Sequence, residues 1–192
     1  MFYLRDLPRY EALRERVNRY SGGDARGMEA FLVLMRVASD ILGGIEAWLA
    51  RHGMSQGKFT LIMILNRDPK VGMLPSELAE RSGVTRATIT GLLDGLERER
   101  FISRENHAHD RRKAIVRLTK EGQALIDGIV PGYYDLLGNL MEDLSEGEKR
   151  ELIELLVKLN RKLPGLWGAA GKTREFPLPE DPESQRKNEK SE

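Results

Sequence analysis

Residues Met73 to Gly122 read MLPSELAERSGVTRATITGLLDGLERERFISRENHAHDRRKAIVRLTKEG, and this stretch decides the fold. Pro75 to Arg81 has the length and composition of a short helix, and Gly83 supplies the left-handed residue that ends it. Thr85 is an N-cap for a second helix. There Ile89, Leu92, Leu93 and Leu96 recur at the i, i+3, i+4, i+7 spacing of a core-facing stripe. Two alternating segments follow, Phe101 to Arg104 and Ala114 to Leu118, joined by a polar, basic tip. Helix, turn, helix and basic hairpin in that order predict a winged helix-turn-helix.

The arc opposite the apolar stripe holds Ala87, Thr90, Gly91 and Asp94, flanked by Thr85, Arg86 and Thr88. Small, methyl-bearing side chains suit thymine methyls in a major groove, and Arg reaches guanine or phosphate. Gly91 and Gly95 lie one turn apart, so the helix backbone is expected to approach DNA closely. Asp94 is unfavourable near phosphate, and Arg98 at i+4 is its expected partner. The hairpin tip runs from Asn106 through His107, Ala108, His109, Asp110 and Arg111 to Arg112, with Lys113 beside it. An Arg at such a tip fits the negative potential of a narrow minor groove, and Asp110 can orient a neighbouring guanidinium. His107 and His109 with Asp110 fall short of a zinc set, so no metal is expected.

Overall charge says little, with 31 basic and 30 acidic residues, but six basic residues face two acidic ones between Arg104 and Lys120. Such a local patch steers polyanions even on a near-neutral chain. There is no Cys, which excludes disulfides and thiol-based sensing. No apolar run has the length of a membrane span and no signal-peptide pattern opens the chain, so a cytoplasmic protein is expected, with no membrane partner. No phosphate loop or nucleophile with its base is present, so neither an enzyme nor a cofactor is expected.

Outward from the central stretch the pattern is helical. Leu4, Leu7, Tyr10, Leu13, Val17 and Tyr20 mark an N-terminal amphipathic helix, ended by Ser21-Gly22-Gly23-Asp24. A long helix from Met28 to His52 carries Phe31, Leu34, Met35, Ala38, Ile41, Leu42, Ile45, Trp48 and Leu49. Gly43-Gly44 inside it predicts a kink or a close helix crossing. A capped helix from Ser55 ends at Asp68-Pro69. After the hairpin, a helix from Thr119 should be kinked or split by Pro131. Ser145 with Glu148 forms a capping box for a last helix, to about Leu163, which Pro164 ends. The charged, Pro-bearing tail from Lys172 reads as disordered.

The expected organisation is an extension helix (1–22), dimerisation and ligand-cleft helices (23–66), the winged lobe (67–121), C-terminal dimerisation helices (122–170) and a disordered tail (171–192). The fold class is mostly α with a small β-hairpin wing. The flanking helices carry more apolar surface than one small lobe can cover, which points to a two-fold dimer, with an intrachain helical bundle as the alternative.

Leu78-Ala79-Glu80, Val84-Thr85, Leu92-Leu93-Asp94-x-Leu96-Glu97 and above all Asp110-x-Arg112-x5-Leu118-Thr119-x2-Gly122 resemble the MarR family of bacterial transcriptional regulators. The resemblance extends from about Phe31 to Leu163. It implies a homodimer with intertwined terminal helices, recognition helices in successive major grooves of a pseudo-palindromic operator, and Arg112 in the minor groove. It also implies a cleft for a small aromatic acid or related anion that lowers DNA affinity, hence a ligand-responsive repressor. Arg36, Ser39, Phe59 and Met63 are the candidate ligand residues, with Arg36 as the anion partner. Gly91 and Gly95 stand where many members carry Arg. Urate-responsive members place a Trp in the N-terminal helix and an acid near position 60. Here no Trp precedes Tyr20 and Thr60 holds that place, so urate is not expected. The alternative function is a winged-helix protein-interaction module without DNA binding.

Overall fold

The computed structural model describes residues 7–69, 71–107, 110–163 and 166, with the backbone alone at 106, 107 and 110–113. Leu4, Ala108, His109, Pro164 and the tail from Lys172 lie outside the described residues. The chain divides into two compact units, with the boundary between Gly132 and Tyr133.

In the first unit, helix α1 (Tyr10–Tyr20) buries Leu13 and Val17 against Ala25, Leu32 and Tyr10. The guanidinium of Arg26 stands 4.1 Å above the Tyr10 ring, adding a cation–π contact to that docking. Tyr20, placed by periodicity on the apolar side, is instead 81% exposed. It is the last helical residue, beyond the reach of α2. Gly22 turns the chain at φ +59°. The Asp24 carboxylate then accepts the Arg26 amide (3.0 Å) and starts α2 (Ala25–Arg51).

Helix α2 runs unbroken through Gly43-Gly44, and a Cβ at either glycine would meet nothing within 4 Å. Of the kink or close crossing expected there, the crossing is not made among the described residues. Of the apolar residues assigned to α2, only Leu49 is fully buried, while Phe31, Leu34 and Leu42 are exposed. Helix α3 (Gln56–Leu65) is the opposite case. Ser55 caps it by accepting the Lys58 amide, and Phe59, Leu61, Ile62, Ile64 and Leu65 are all buried. An apolar surface on every side makes α3 the central post of the lobe. It ends at Leu65, before the expected Asp68-Pro69 stop, in a run of turns.

Helix α4 (Pro75–Ser82) begins with Pro at its first position, where a missing N–H costs nothing. Glu77 accepts the Leu74 amide (2.9 Å). Gly83 adopts φ +74° at its end, and Thr85 caps helix α5 (Arg86–Arg98) by accepting the Thr88 amide (3.2 Å). Leu78, Ile89, Leu93 and Leu96 close onto α3 with essentially no exposure. Leu92, expected in the same stripe, is half-buried.

Strands β1 (Ile102–His107) and β2 (Asp110–Leu118) pair antiparallel, from Ile102 opposite Leu118 to Asn106 opposite Ala114. Both are longer than expected: Asn106 pairs with Ala114 and His107 with Asp110, and the register shifts between Asn106 and His107, where Arg111 to Lys113 of β2 have no opposite residue. Met73 adds a further rung on the other edge, exchanging both backbone hydrogen bonds with Val116 (2.9 and 2.8 Å). Gly72, at φ +69°, makes that approach possible: a Cβ there would lie 2.7 Å from both Ile115 Cγ2 and Arg117 Cγ.

Helix α6 (Lys120–Leu140) passes across the unit boundary and, of the kink or split expected at Pro131, is not split there. The proline forfeits only the hydrogen bond that the Asp127 carbonyl would accept.

In the second unit, Ser145 and Glu148 form the expected capping box of α7 (Glu146–Asn160). No residue of α7 is buried, and Leu152, Ile153, Leu155, Leu156 and Leu159 are all exposed. None of the described helices is long and apolar enough to cross a membrane.

Candidate nucleic-acid interface

Burial of Ile89, Leu93 and Leu96 fixes which side of α5 faces out. Thr85, Arg86, Ala87, Thr88, Thr90, Gly91 and Asp94 are all exposed, as the spacing predicted. The hydroxyls of Thr85 and Thr88 share a hydrogen bond (2.9 Å) at the cap. Thr90 donates its hydroxyl to the Arg86 carbonyl (3.0 Å), so it offers a groove its methyl and an acceptor lone pair. Arg86 makes no ion pair among the described residues, which leaves its guanidinium available. Gly91 has open space where a side chain would stand, so the backbone there is accessible.

Two expectations for this helix fail. Gly95 is buried, because Lys58 of α3 lies across it. Asp94 does not pair with Arg98; its carboxylate accepts from Arg104 of β1 (2.6 Å), which also reaches Glu97 (3.3 Å). Arg104 approaches both acids from the wing, a tertiary contact that helical spacing does not reveal. Its guanidinium neutralises the acids beside the groove face and braces the wing against α5. Arg117 similarly meets Glu105 across the ladder (3.2 Å). Among the described side chains of the wing, Arg104 and Arg117 therefore both carry acid partners. Of the candidate wing residues, Asp110, Arg111, Arg112 and Lys113 belong to β2, and His109 falls outside the described residues.

The junction of wing and helices explains the Leu118-Thr119-x2-Gly122 pattern. Helix α5 ends with Arg100 at φ +64°; the Arg100 amide bonds the Glu97 carbonyl and the Phe101 amide that of Leu96. This is a Schellman ending with Arg where Gly is usual. Thr119 then closes the other end of the hairpin. Its hydroxyl donates to the Arg100 carbonyl (2.6 Å) and accepts the Gly122 amide (3.0 Å). Its own amide donates to the Phe101 carbonyl (3.1 Å). One threonine thus caps α6 and ties it to the end of the recognition helix. Arg100, Thr119, Gly72 and Lys58 were not singled out for these roles from sequence; only the family pattern at Thr119 and Gly122 hinted at them.

The candidate ligand residues lie on α2 and α3. Arg36 donates to Asp40 (2.7 Å), the helical ion pair of a partly exposed side chain. Ser39 and Met63 are half-buried, and Phe59 is a buried part of the core. Trp48 stacks on His52, with ring centroids 4.1 Å apart, and its ring edges Gly132.

Residues 52–113, which include the helix-turn-helix and most of the wing, match the model of the MarR family. The chain is 39% identical to the HTH-type transcriptional repressor YetL of Bacillus subtilis over 160 residues, 83% of this chain and 96% of that protein. The chain belongs to the MarR family. Its fold is shared by solved members at lower identity. AbsC, a MarR family transcriptional regulator from Streptomyces coelicolor, superposes with a TM-score of 0.64 at 20% identity, covering 71% of this chain and 93% of that one. MepR of S. aureus, in a complex with DNA, superposes with a TM-score of 0.61 at 20% identity, covering 69% and 94%. In this MarR family chain, the two helices and hairpin of the central stretch are the winged lobe.

Proposed function

We propose that this MarR family chain is a sequence-specific DNA-binding transcriptional regulator, a ligand-responsive repressor that acts as a homodimer on a pseudo-palindromic operator. The observation that carries this reading is the outer arc of α5. A helix pinned on its inner face by Ile89, Leu93 and Leu96 presents Arg86, Ala87, Thr90 and open Gly91 together. An exposed arc of that chemistry beside a basic hairpin fits a major groove and its flanking phosphates. The name of YetL as a transcriptional repressor supports the same direction.

In this reading Thr85, Arg86, Ala87, Thr88, Thr90 and Gly91 meet the major groove. His109, Asp110, Arg111, Arg112 and Lys113 serve the wing, with Arg112 entering the minor groove. Residues 67–121 are the reading head, and 23–66 and 122–170 hold two such heads together. The apolar residues of α2 and α7 that stand exposed among the described residues support a second copy as their cover. The effector is a small aromatic acid or related anion taken between α2 and α3, with Arg36 exchanging its Asp40 bond for the anion and Ser39, Phe59 and Met63 beside it.

Fluorescence anisotropy on the duplex upstream of the chain's own reading frame tests this proposal. Binding that falls steeply with salt and outcompetes a scrambled duplex supports it. A flat salt response with no preference favours a protein-binding winged helix instead.

A further inference from the structure

Helices α3 and α5 meet through two glycine notches. A Cβ on Gly57 of α3 would lie 3.1 Å from Cδ1 of Leu92, so Leu92 fills that notch. A Cβ on Gly95 of α5 would lie 3.1 Å from Cε of Lys58, so the Lys58 stem fills the reciprocal one. Lys58 then reaches past Gly95 to Glu99, with Nζ 2.5 Å from Oε1. Glu99 is the C-cap of α5, where a carboxylate opposes the helix dipole and an ammonium favours it. The Lys58 side chain is only 19% exposed, less than any other cation in the described ion pairs. Ile89, Leu93 and Leu96 hold α5 down on the core. The notches and the ion pair lie to one side of that stripe, where they resist rotation of α5 about its own axis. Gly91, on the groove face, is one turn from Gly95, so such a rotation would move the residues that meet DNA.

Resting on the DNA-binding reading above, we propose that Lys58 is a positioning residue for DNA recognition. By filling the Gly95 notch and holding Glu99, it sets the rotation of the recognition helix without touching a phosphate. This gives Gly95 its purpose: a larger side chain there would collide with the Lys58 stem.

The test uses the full chain and a duplex selected by the wild type from a randomised pool, with a scrambled duplex as reference. Lys58→Met keeps an unbranched apolar stem and removes the charge; Lys58→Arg keeps the charge. Glu99→Ala removes the partner from an exposed site and carries the test should Lys58→Met fail to fold. The expected result is a loss of about tenfold in the selected-to-scrambled affinity ratio for Lys58→Met and Glu99→Ala, the scale of one lost base contact. Lys58→Arg should retain the ratio, and the salt dependence of binding should be unchanged in all three. An unchanged ratio in a folded Lys58→Met, or in Glu99→Ala, overturns the proposal. A slope shallower by about 0.9, the loss of one phosphate contact, overturns it in favour of direct contact. Failure of the wild type to enrich any duplex defeats the DNA reading itself, and this inference with it.

Discussion

The carbonyl oxygen of Phe101 occupies the space that a Cβ on Gly122 would need. Backbone therefore meets backbone where the wing begins and α6 starts, and Thr119 bonds both sides of that contact. Any force on α6 reaches the reading head there through main chain instead of a flexible side chain. Substituting Gly122→Ala should destabilise the fold at or above the upper end of the ~1–3 kcal/mol usual for overpacking, because the Phe101 carbonyl, held by the Thr119 amide, has little room to yield. Urea denaturation checks this. A midpoint equal to wild type would mean that α6 and the wing are free to separate.

Arg104 and Arg112 should fail differently. Arg104 shields Asp94 and Glu97, so Arg104→Ala should weaken DNA binding by about 1 kcal/mol through uncovered carboxylates, the pairs being partly exposed. Adding Asp94→Ala should recover most of that loss. Arg112→Ala should cost about 1–3 kcal/mol of affinity with no change in melting temperature, and no acidic deletion should restore it. Anisotropy titrations of the four variants separate the roles. Rescue of Arg112→Ala by Asp94→Ala would contradict them.

The α7 leucines should report the dimer. Leu155 and Leu159 are each 52% exposed although they lie on a well-capped helix. Light scattering at micromolar concentration should give twice the chain mass for wild type. Glu at Leu155 and Leu159 together should give one chain mass with helicity preserved. A wild-type monomer would remove the reason for placing two reading heads on one operator.

The same helix carries the pH prediction. The Ser145 side chain and amide bond the Glu148 carboxylate and lower its pKa, and the bond from Lys149 does the same for Glu146. A carboxylate depressed in the folded state adds stability that is fully present at neutral pH, above its unfolded value. That stability is lost as pH falls through the folded value, below the usual carboxylate range. The wild type should therefore exceed Glu148→Gln in stability at pH 7 and in mild acid, and the gap should close only as pH falls through and below the usual carboxylate range. Melting curves across pH check this; a gap that persists at the acid end would show that charge on Glu148 is not what holds the cap.

How far the sequence could be read depended on the range of each interaction. Caps, turns and stripes are local, so Thr85, Gly83, Ser145 and the core face of α5 were legible, and with them the helix-turn-helix. The recognition arc followed as the complement of that core face. What escaped was tertiary. Asp94 had a nearer partner in sequence at Arg98, but Arg104 reaches it from another element. Gly95 looked open until α3 laid Lys58 across it. Gly43-Gly44 suggested a crossing that is not made among the described residues, and Pro131 lies in α6 without splitting it, since a long helix can forgo one hydrogen bond. Phe31 and Leu34 were correctly apolar, yet they stand exposed among the described residues.

The central claim is that two reading heads, held by those uncovered helices, recognise one symmetric site. Selection of duplexes by the full-length chain from a randomised pool tests it most directly. The account predicts an enriched motif with two-fold symmetry, its half-sites about one helical turn (~10 base pairs) apart. Absence of enrichment, or a lone half-site without a symmetric partner, would contradict it.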